Sequence, residues 1–486
     1  MSEKRVSKKR RGQPGKPVAV SVAPPDADKA ALTARQAGVV LAVGLAFGLG
    51  VIYEWGPLNG FVSLTKWEWP WQDLGTIQMG LALLAPFLLI LGVVWSGDRT
   101  ASRVPIWFWL AALVIANFCF QLFSVLADPR GPERIMQIVS SADATSYFTD
   151  ALTIQHLRDW LSHFDRATLH GHSVTHPAGP IVFYYVFVRL FGPDVGALLG
   201  GCAVGLAASF GVVVMYHFAG LWASDKRVRL LASAFYALLP GLTVFFPELD
   251  QVYPIFSMLL ILTFVKALSA FNAWYRYALA LGAVLFAASF FAYNLLTIGA
   301  FLLYYGLWWL WREDRTGAAV LTVIRTAAVS MVTAASLYLL LWATTGYNPP
   351  AALHHALAAQ DATARRWLGR PYRMFVLPDL YDFTLAAGII VIPILWFHLS
   401  KLREEFKANP NGMALTLIGL ATVLTVDLSG LLRGETARVW LFLQPLLVVP
   451  VAVELARVRW PWRVSILTLQ WWILVLIKAK MSFIEP

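Results

Sequence analysis

The sequence predicts an all-α fold, a polytopic transmembrane helix bundle of about 13 spans with helical extracytoplasmic loops and no large soluble domain. Three observations predict it. Of 486 residues, 58% are hydrophobic and only 14% charged, where a soluble domain carries about 25% charged residues. No set of soluble domains of this length could cover itself with so few polar side chains. Mean hydropathy is +0.62, and the chain holds 21 tryptophans, residues that collect at membrane interfaces. Finally, a basic tail stands directly before the first apolar stretch, the usual mark of a cytoplasmic N-terminus. A soluble enzyme, a nucleic-acid binder and a disordered scaffold are thereby excluded.

The tail accounts for most of the net charge of +11. Residues 1–17 hold seven Lys or Arg against one Glu, so six of the eleven net charges lie there. With its prolines and like charges the tail 1–34 is expected to be disordered and cytoplasmic. No small-residue cleavage site follows the first span, so no removed signal peptide is expected. Cys119 and Cys202 both lie in apolar segments, which argues against a disulfide framework or a thiolate metal site.

Apolar stretches near spanning length begin with two helices in the N-terminal unit 35–104, at 35–53 and 76–95. The following region, 105–450, carries stretches at 105–125, 195–221, 229–247, 252–268, 278–293, 295–311, 320–343, 384–400, 412–429 and 439–456. A last span at 464–478 falls within 451–486. Each is close to the ~20 residues needed to cross a bilayer. The segment 180–192 (PIVFYYVFVRLFG) is too short to cross comfortably and carries Arg189; it is expected to be bent or to lie at the interface before the next span. The loops at 96–103, 224–229, 273–277, 311–315, 401–407 and 456–463 are nearly all basic and belong with the tail on the cytoplasmic side. The loops 54–75, 126–179, 248–251, 344–383 and 430–438 then face outward, from a plasma or inner membrane.

Most groups able to do chemistry fall in those outward loops. Seven of the nine histidines are there: His156, His163, His170, His172, His176, His354 and His355. In SADATSYFTDA (141–151), Asp143 precedes Tyr147 at a helix start. It reads either as an N-cap or as a general base toward a hydroxyl. Asp150, Arg158, Asp159, Asp165 and Arg166 follow helical spacing and read as a solvated face. HGHSVTHPAGP (170–180) could ligate a metal through His170, His172 and His176, but no fourth ligand sits at a matching spacing. A rigid His-Pro turn whose histidines line a polar mouth is the preferred reading.

FFPELDQVYP (245–254) sets Glu248 and Asp250 in a short turn between spans. Carboxylates there must face water or the protein interior, because lipid exposure costs several kcal/mol. Arg365, Arg366, Arg370 and Arg373 stand on the outer side against the charge rule. They suit either a phosphate grip through forked hydrogen bonds or an interfacial amphipathic helix. Arg433, Glu435 and Arg438 sit at the lip of a span, as a structural ion pair or as groups stabilising a leaving phosphate.

An acid in the first large outer loop, THPAGPIVFYYVFVRLFG (175–192), Asp250 after a proline-bearing turn, and a late Arg/Glu cluster follow one another in this chain. That order resembles the C-type glycosyltransferase superfamily, nearest the branch of protein O-mannosyltransferases and the lipid A aminoarabinose transferase. The resemblance covers about 105–450. Histidine replaces the lysine before the proline, two extra spans come first, and the sequence shows no large soluble C-terminal domain. The resemblance implies sugar transfer from a polyprenyl-phosphate donor to an extracytoplasmic acceptor, with inversion at the anomeric carbon. It implies Asp143 as base, Asp250 as the second-loop acid that orients the acceptor or, in some relatives, binds a divalent metal ion, and Arg433 and Arg438 on the departing phosphate. Arg365 and Arg366 are further donor-phosphate candidates; Glu248, His170, His172, His176, Tyr147 and Glu435 are substrate-binding candidates. No cofactor is required by the residues themselves. A transporter or flippase would instead show ionisable groups at mid-bilayer and a duplicated helix set, and neither is evident. A ligase of lipid-linked polymers would use similar outer Arg and His residues.

Overall fold

The computed structural model describes residues 33–58, 60, 68–100, 104–270, 272–313, 316–366 and 372–484. The basic tail expected over 1–34 lies, up to residue 32, outside the described residues. Helices dominate, and no strand forms among the described residues; the one β-type contact is an isolated antiparallel bridge between Trp71 and Met481. The first helix, Ala34–Ile52, opens on a capping box: Gln36 N–H donates to Thr33 Oγ1 (3.2 Å) and Thr33 N–H donates back to Gln36 Oε1 (2.9 Å).

Ten described helices are long and apolar enough to cross a membrane, or eleven if Val376–Ala387 and Val391–Ser400, bent by 103°, form one broken span. The protein is thus a multi-pass membrane protein with fewer uninterrupted spans than the 13 expected. The shortfall has a physical cause. The stretches at 229–247 and 439–456 are broken: Lys226–Ala237 stops before Pro240 and resumes as the single turn Gly241–Val244, and a short turn at Leu441–Leu443 precedes Pro445–Arg457. Both are buried along nearly their whole length, and Lys226–Ala237 packs against Pro445–Arg457 in the centre of the bundle.

Broken backbone is tolerated at membrane depth only where the protein pairs the freed polar groups. Three buried amides do so. Asn117 Nδ2 donates to Ala237 O (3.1 Å), and Gln470 Nε2 donates to Leu238 O (3.2 Å) and Ala387 O (3.0 Å). Gln251 Nε2 donates to Leu242 O.

The segment 180–192 bends as expected. It forms the first limb of Gly179–Ser209, which breaks at Gly192 (φ 77°, ψ 176°) just before Pro193. Residues 179–219 would make a rod of roughly 60 Å if straight, about twice the hydrocarbon thickness, and the break at Gly192 divides it into two limbs. At the start of the chain, Ala34–Ile52 packs on the last helix, Trp460–Lys480, and Thr76–Thr100 packs on both that helix and Ile106–Leu126.

The loops gather at two ends of the bundle. At one end Arg463 pairs with Asp98, Arg227 reaches Asp98 O (3.2 Å), and Arg312 meets Asn411 (2.8 Å). The loops expected to face outward meet at the other end, around the site.

Candidate active site

Two loops interlock at the end where the loops expected to face outward meet, the outer end, the opposite one being the inner end. Ser141 Oγ accepts from the N–H groups of Asp143 (3.2 Å) and Ala144 (3.0 Å), so Ser141 caps this turn and Asp143 does not. Ser146, held left-handed at φ 55° and fully buried, accepts Ser173 N–H on its Oγ (3.0 Å). Gly171 lies opposite at φ +41°, and a Cβ there would come within 2.6 Å of Ala142 O. A side chain at 171 would therefore pry the loops apart. Asp150, expected on a solvated face, is instead 1% exposed; its carboxylate accepts from His170 Nδ1 (2.6 Å) and His170 N (3.2 Å). The helix Tyr147–Leu152 turns that acid inward, where it ties down the histidine loop.

His176 Nδ1 lies 2.8 Å from His172 O. A carbonyl only accepts, so Nδ1 carries the proton and Nε2 keeps its lone pair. The ring of His176 meets Tyr147 edge to face at 5.4 Å. Burial, with Arg438 nearby, lowers His172 to about 3; burial likewise lowers His176 to about 4. Both are neutral at physiological pH. Burial together with the charge of Asp250 holds the Tyr147 phenol well above its ordinary value.

These loops face a cavity of about 740 Å³. Its walls include Tyr147, His172 and His176 from the first outer loop, Glu248 and Asp250 from the second, and Arg433, Glu435 and Arg438 from the last. Ala356, Leu357 and Gln360 of the helix Pro349–Arg366 close one side, and that helix packs against Gly171–Thr175. Arg438 sits between two carboxylates: Nη1 donates to Glu248 Oε2 (3.1 Å) and Nη2 to Glu435 Oε2, while its buried Nε has no partner. Burial raises the Glu248 carboxyl against the pull of Arg438. Asp250 is half-buried. Arg433 is exposed and makes no hydrogen bond or ion pair among the described residues. The cavity thus holds three carboxylates against two guanidinium groups, and only Arg433 offers a whole unpaired fork to an incoming anion.

The loop 433–438 is held from behind. Asp379 Oδ1 accepts Gly434 N–H (3.0 Å) and Asp382 Oδ2 accepts Ala437 N–H (2.8 Å). Thr436 donates to Asp379 O (2.6 Å), and Trp69 Nε1 donates to Asp382 Oδ1. These clamps allow left-handed backbone at Gly434 (φ 74°) and at Glu435 (φ 51°), where a side chain makes it costly.

Of the candidates read from sequence, Tyr147, His172, His176, Glu248, Asp250, Arg433, Glu435 and Arg438 come together in one cavity. Asp143 is exposed beside the lining residues Ala144 and Thr145, with its own side chain outside the lining. His170 is likewise outside and holds the loop through Asp150. Arg365 and Arg366 end the helix Pro349–Arg366; their side chains, and residue Arg370, lie outside the described residues. Sequence reasoning missed Asp379 and Asp382, whose signal was a pair of acids at i, i+3 in an otherwise apolar helix. It also missed Tyr293 and Asn294, which line the cavity from a turn between two spans read as almost continuous. Among the described residues, no group of three or more His, Cys, Asp or Glu is arranged to hold a metal ion.

No protein-family model matches the chain, and no curated protein matches it. Solved structures do. One is an oligosaccharyltransferase from Archaeoglobus fulgidus, solved with zinc and sulfate: 13% identity, TM-score 0.47, covering 74% of this chain and 53% of that one. Another is ArnT from Cupriavidus metallidurans in the apo state: 16% identity, TM-score 0.46, covering 73% and 60% respectively. This chain spans between about half and three fifths of the length of these solved chains. Likeness at this level transfers no residue role.

Proposed function

We propose that this protein is a membrane glycosyltransferase of the C type, moving a sugar from a polyprenyl-phosphate donor to an extracytoplasmic acceptor with inversion. The observation that carries the reading is the meeting, in one cavity at the outer end of the bundle, of a carboxylate pair (Glu248, Asp250), a carboxylate-clamped Arg438 and an unpaired Arg433. Those are the parts that displacement of a phosphate requires. The acceptor hydroxyl oxygen attacks the anomeric carbon, the bond from that carbon to the phosphate oxygen breaks, its electron pair stays on the phosphate, and the hydroxyl proton passes to a carboxylate. Arg433 meets the growing charge on the phosphate, and a guanidinium does this more strongly in a partly desolvated cavity than in water. Arg438 keeps Glu248 and Glu435 in place rather than gripping the phosphate itself. The neutral imidazoles of His172 and His176 and the Tyr147 phenol supply hydrogen bonds to sugar hydroxyls. The donor's lipid tail accounts for a site at the lip of a helix bundle.

Asp143 is the base in this reading: it is exposed at the turn that adjoins the cavity, where an acceptor arriving from water meets it. A second reading, with Asp250 as the base, is favoured by the placement of Asp250 among the lining residues and of Asp143 outside them. Transfer from a radiolabelled polyprenyl-phosphate sugar, measured in membranes holding the full chain, decides between them. Asp143→Asn is expected to lose about 10²–10⁴ in rate. If it keeps full activity while Asp250→Asn loses that much, the base is Asp250. If both variants keep full activity, the proposed chemistry is wrong.

A further inference from the structure

We infer that Trp69 and Asp382 are positioning residues for the phosphate-binding loop 433–438, so that Trp69, which precedes the second N-terminal helix, supports the site. This rests on the reading of Arg433 as the phosphate contact.

The chain of contacts is continuous. Trp69 comes from the segment between Ala34–Ile52 and Thr76–Thr100, and its indole N–H donates to Asp382 Oδ1. The other oxygen of the same carboxylate accepts Ala437 N–H (2.8 Å), with Thr436 Oγ1, whose proton goes to Asp379 O (2.6 Å), lying 3.3 Å away. Asp379, one turn earlier on the same helix, accepts Gly434 N–H (3.0 Å). Asp382 therefore receives an N–H donor on each oxygen, Trp69 on one and Ala437 on the other, and a neutral amide with one acceptor oxygen cannot replace it. Trp69 is 5% exposed, Asp382 8% and Thr436 fully buried, so none of these bonds competes freely with water.

The indole is itself fixed. Its ring packs on Phe483 at 4.7 Å and on Phe245 at 6.0 Å. A few residues on, Gln72 Nε2 donates to Lys478 O (3.0 Å) and Met481 O (2.8 Å). The stretch from Trp69 to Gln72 is thereby moored to the end of the last helix. The loop needs such support, since Gly434 and Glu435 are both left-handed and Arg433 has no partner of its own to hold it.

The test uses Trp69→Phe, which keeps a ring against Phe245 and Phe483 and removes the N–H donor. In a full chain with Cys119 and Cys202 replaced by alanine, a spin label is placed at Leu431→Cys, a position 66% exposed just before the loop. The label is expected to become more mobile in Trp69→Phe. Affinity for undecaprenyl phosphate in nanodiscs is expected to fall about tenfold, the scale of one hydrogen bond to a charged group. Asp382→Asn is expected to do the same, and the double variant to add little to either single one. Unchanged label mobility overturns the inference, as does a mobile label with unchanged affinity. If the unaltered protein does not bind undecaprenyl phosphate, the functional reading fails on its own account, while the label still decides whether Trp69 holds the loop.

Discussion

The two ends of the bundle each bury a cluster of charges, and the clusters differ in how completely they are satisfied. At the inner end Glu454, fully buried, accepts from His398 Nδ1 (2.8 Å), Lys401 Nζ (3.2 Å) and Arg457 Nη1 (2.9 Å). Arg457 also forks onto Glu405 at 2.6 and 2.8 Å. At the outer end the Nε of Arg438 is unpartnered, the Tyr184 and Tyr253 hydroxyls are buried without partners, and Arg433 stands unpaired at the cavity. A cluster whose members answer one another has no capacity left for a ligand. One that leaves donors open, and holds more carboxylate than guanidinium, is stable only because its loops are fixed from elsewhere, and its open groups are those a substrate can use. Burial alone does not separate the two, since Glu248 at one end and Glu454 at the other are both buried.

The largest expected effect follows from breaking the outer cluster at its centre. Arg438→Met leaves Glu248 and Glu435 without their shared cation. Breaking a buried pair this way costs about 3–5 kcal/mol of stability, read as a lowered thermal midpoint. Transfer activity is expected to fall by about 10³, because the carboxylates no longer keep their places. Retained activity in a folded Arg438→Met protein would show that the trio is as structural as the inner cluster.

At the inner end the same kind of damage should separate stability from chemistry. Glu454→Gln weakens the contacts to His398, Lys401 and Arg457 together, and about 3 kcal/mol of stability is expected to go. The rate constant of the protein that remains folded should stay within about twofold of the original, since no inner residue lines the cavity. A tenfold loss of rate at unchanged thermal midpoint would mean that the two ends are coupled.

How far this contrast was legible in the sequence depends on the kind of signal. The outer carboxylates and arginines stood out because a chain with 14% charged residues leaves few places for them, and positive-inside placed their loops on one side. What the outer charges do was not legible. Arg438 and Arg433 look equivalent in the sequence, yet Arg438 is held between two acids 190 and 3 residues away, and only three-dimensional pairing shows it. Asp150 read as solvated because helical spacing cannot say which face of a two-turn helix is inward. The two broken central helices were hidden for a related reason: a segment buried on every side is apolar on every side, so its pattern is the same whether or not a proline interrupts it. The amides that make the breaks tolerable, Asn117, Gln251 and Gln470, lie far away in sequence.

The smallest expected effect uses acid to sharpen the contrast. Burial lowers His172 to about 3 and His176 to about 4, against about 6.5 for an unfolded histidine. Below pH 6.5 the unfolded chain takes up protons at these positions that the folded chain refuses, so stability rises with pH across that window. Their contribution is complete above pH 6.5, and it is lost progressively as the pH falls toward 4 and then 3. Glu248 runs the other way, because its raised carboxyl makes the folded state the better proton acceptor as the pH falls. A single melting curve therefore mixes opposing slopes, and the comparison must be between variants. The thermal midpoint of the unaltered protein should drop more steeply between pH 6.5 and 4.5 than that of the His172→Gln, His176→Gln double variant, with a gap of a few degrees at the acid end. Parallel curves would mean that both imidazoles take up protons as freely folded as unfolded, and that the outer end lacks the desolvated lining its chemistry requires.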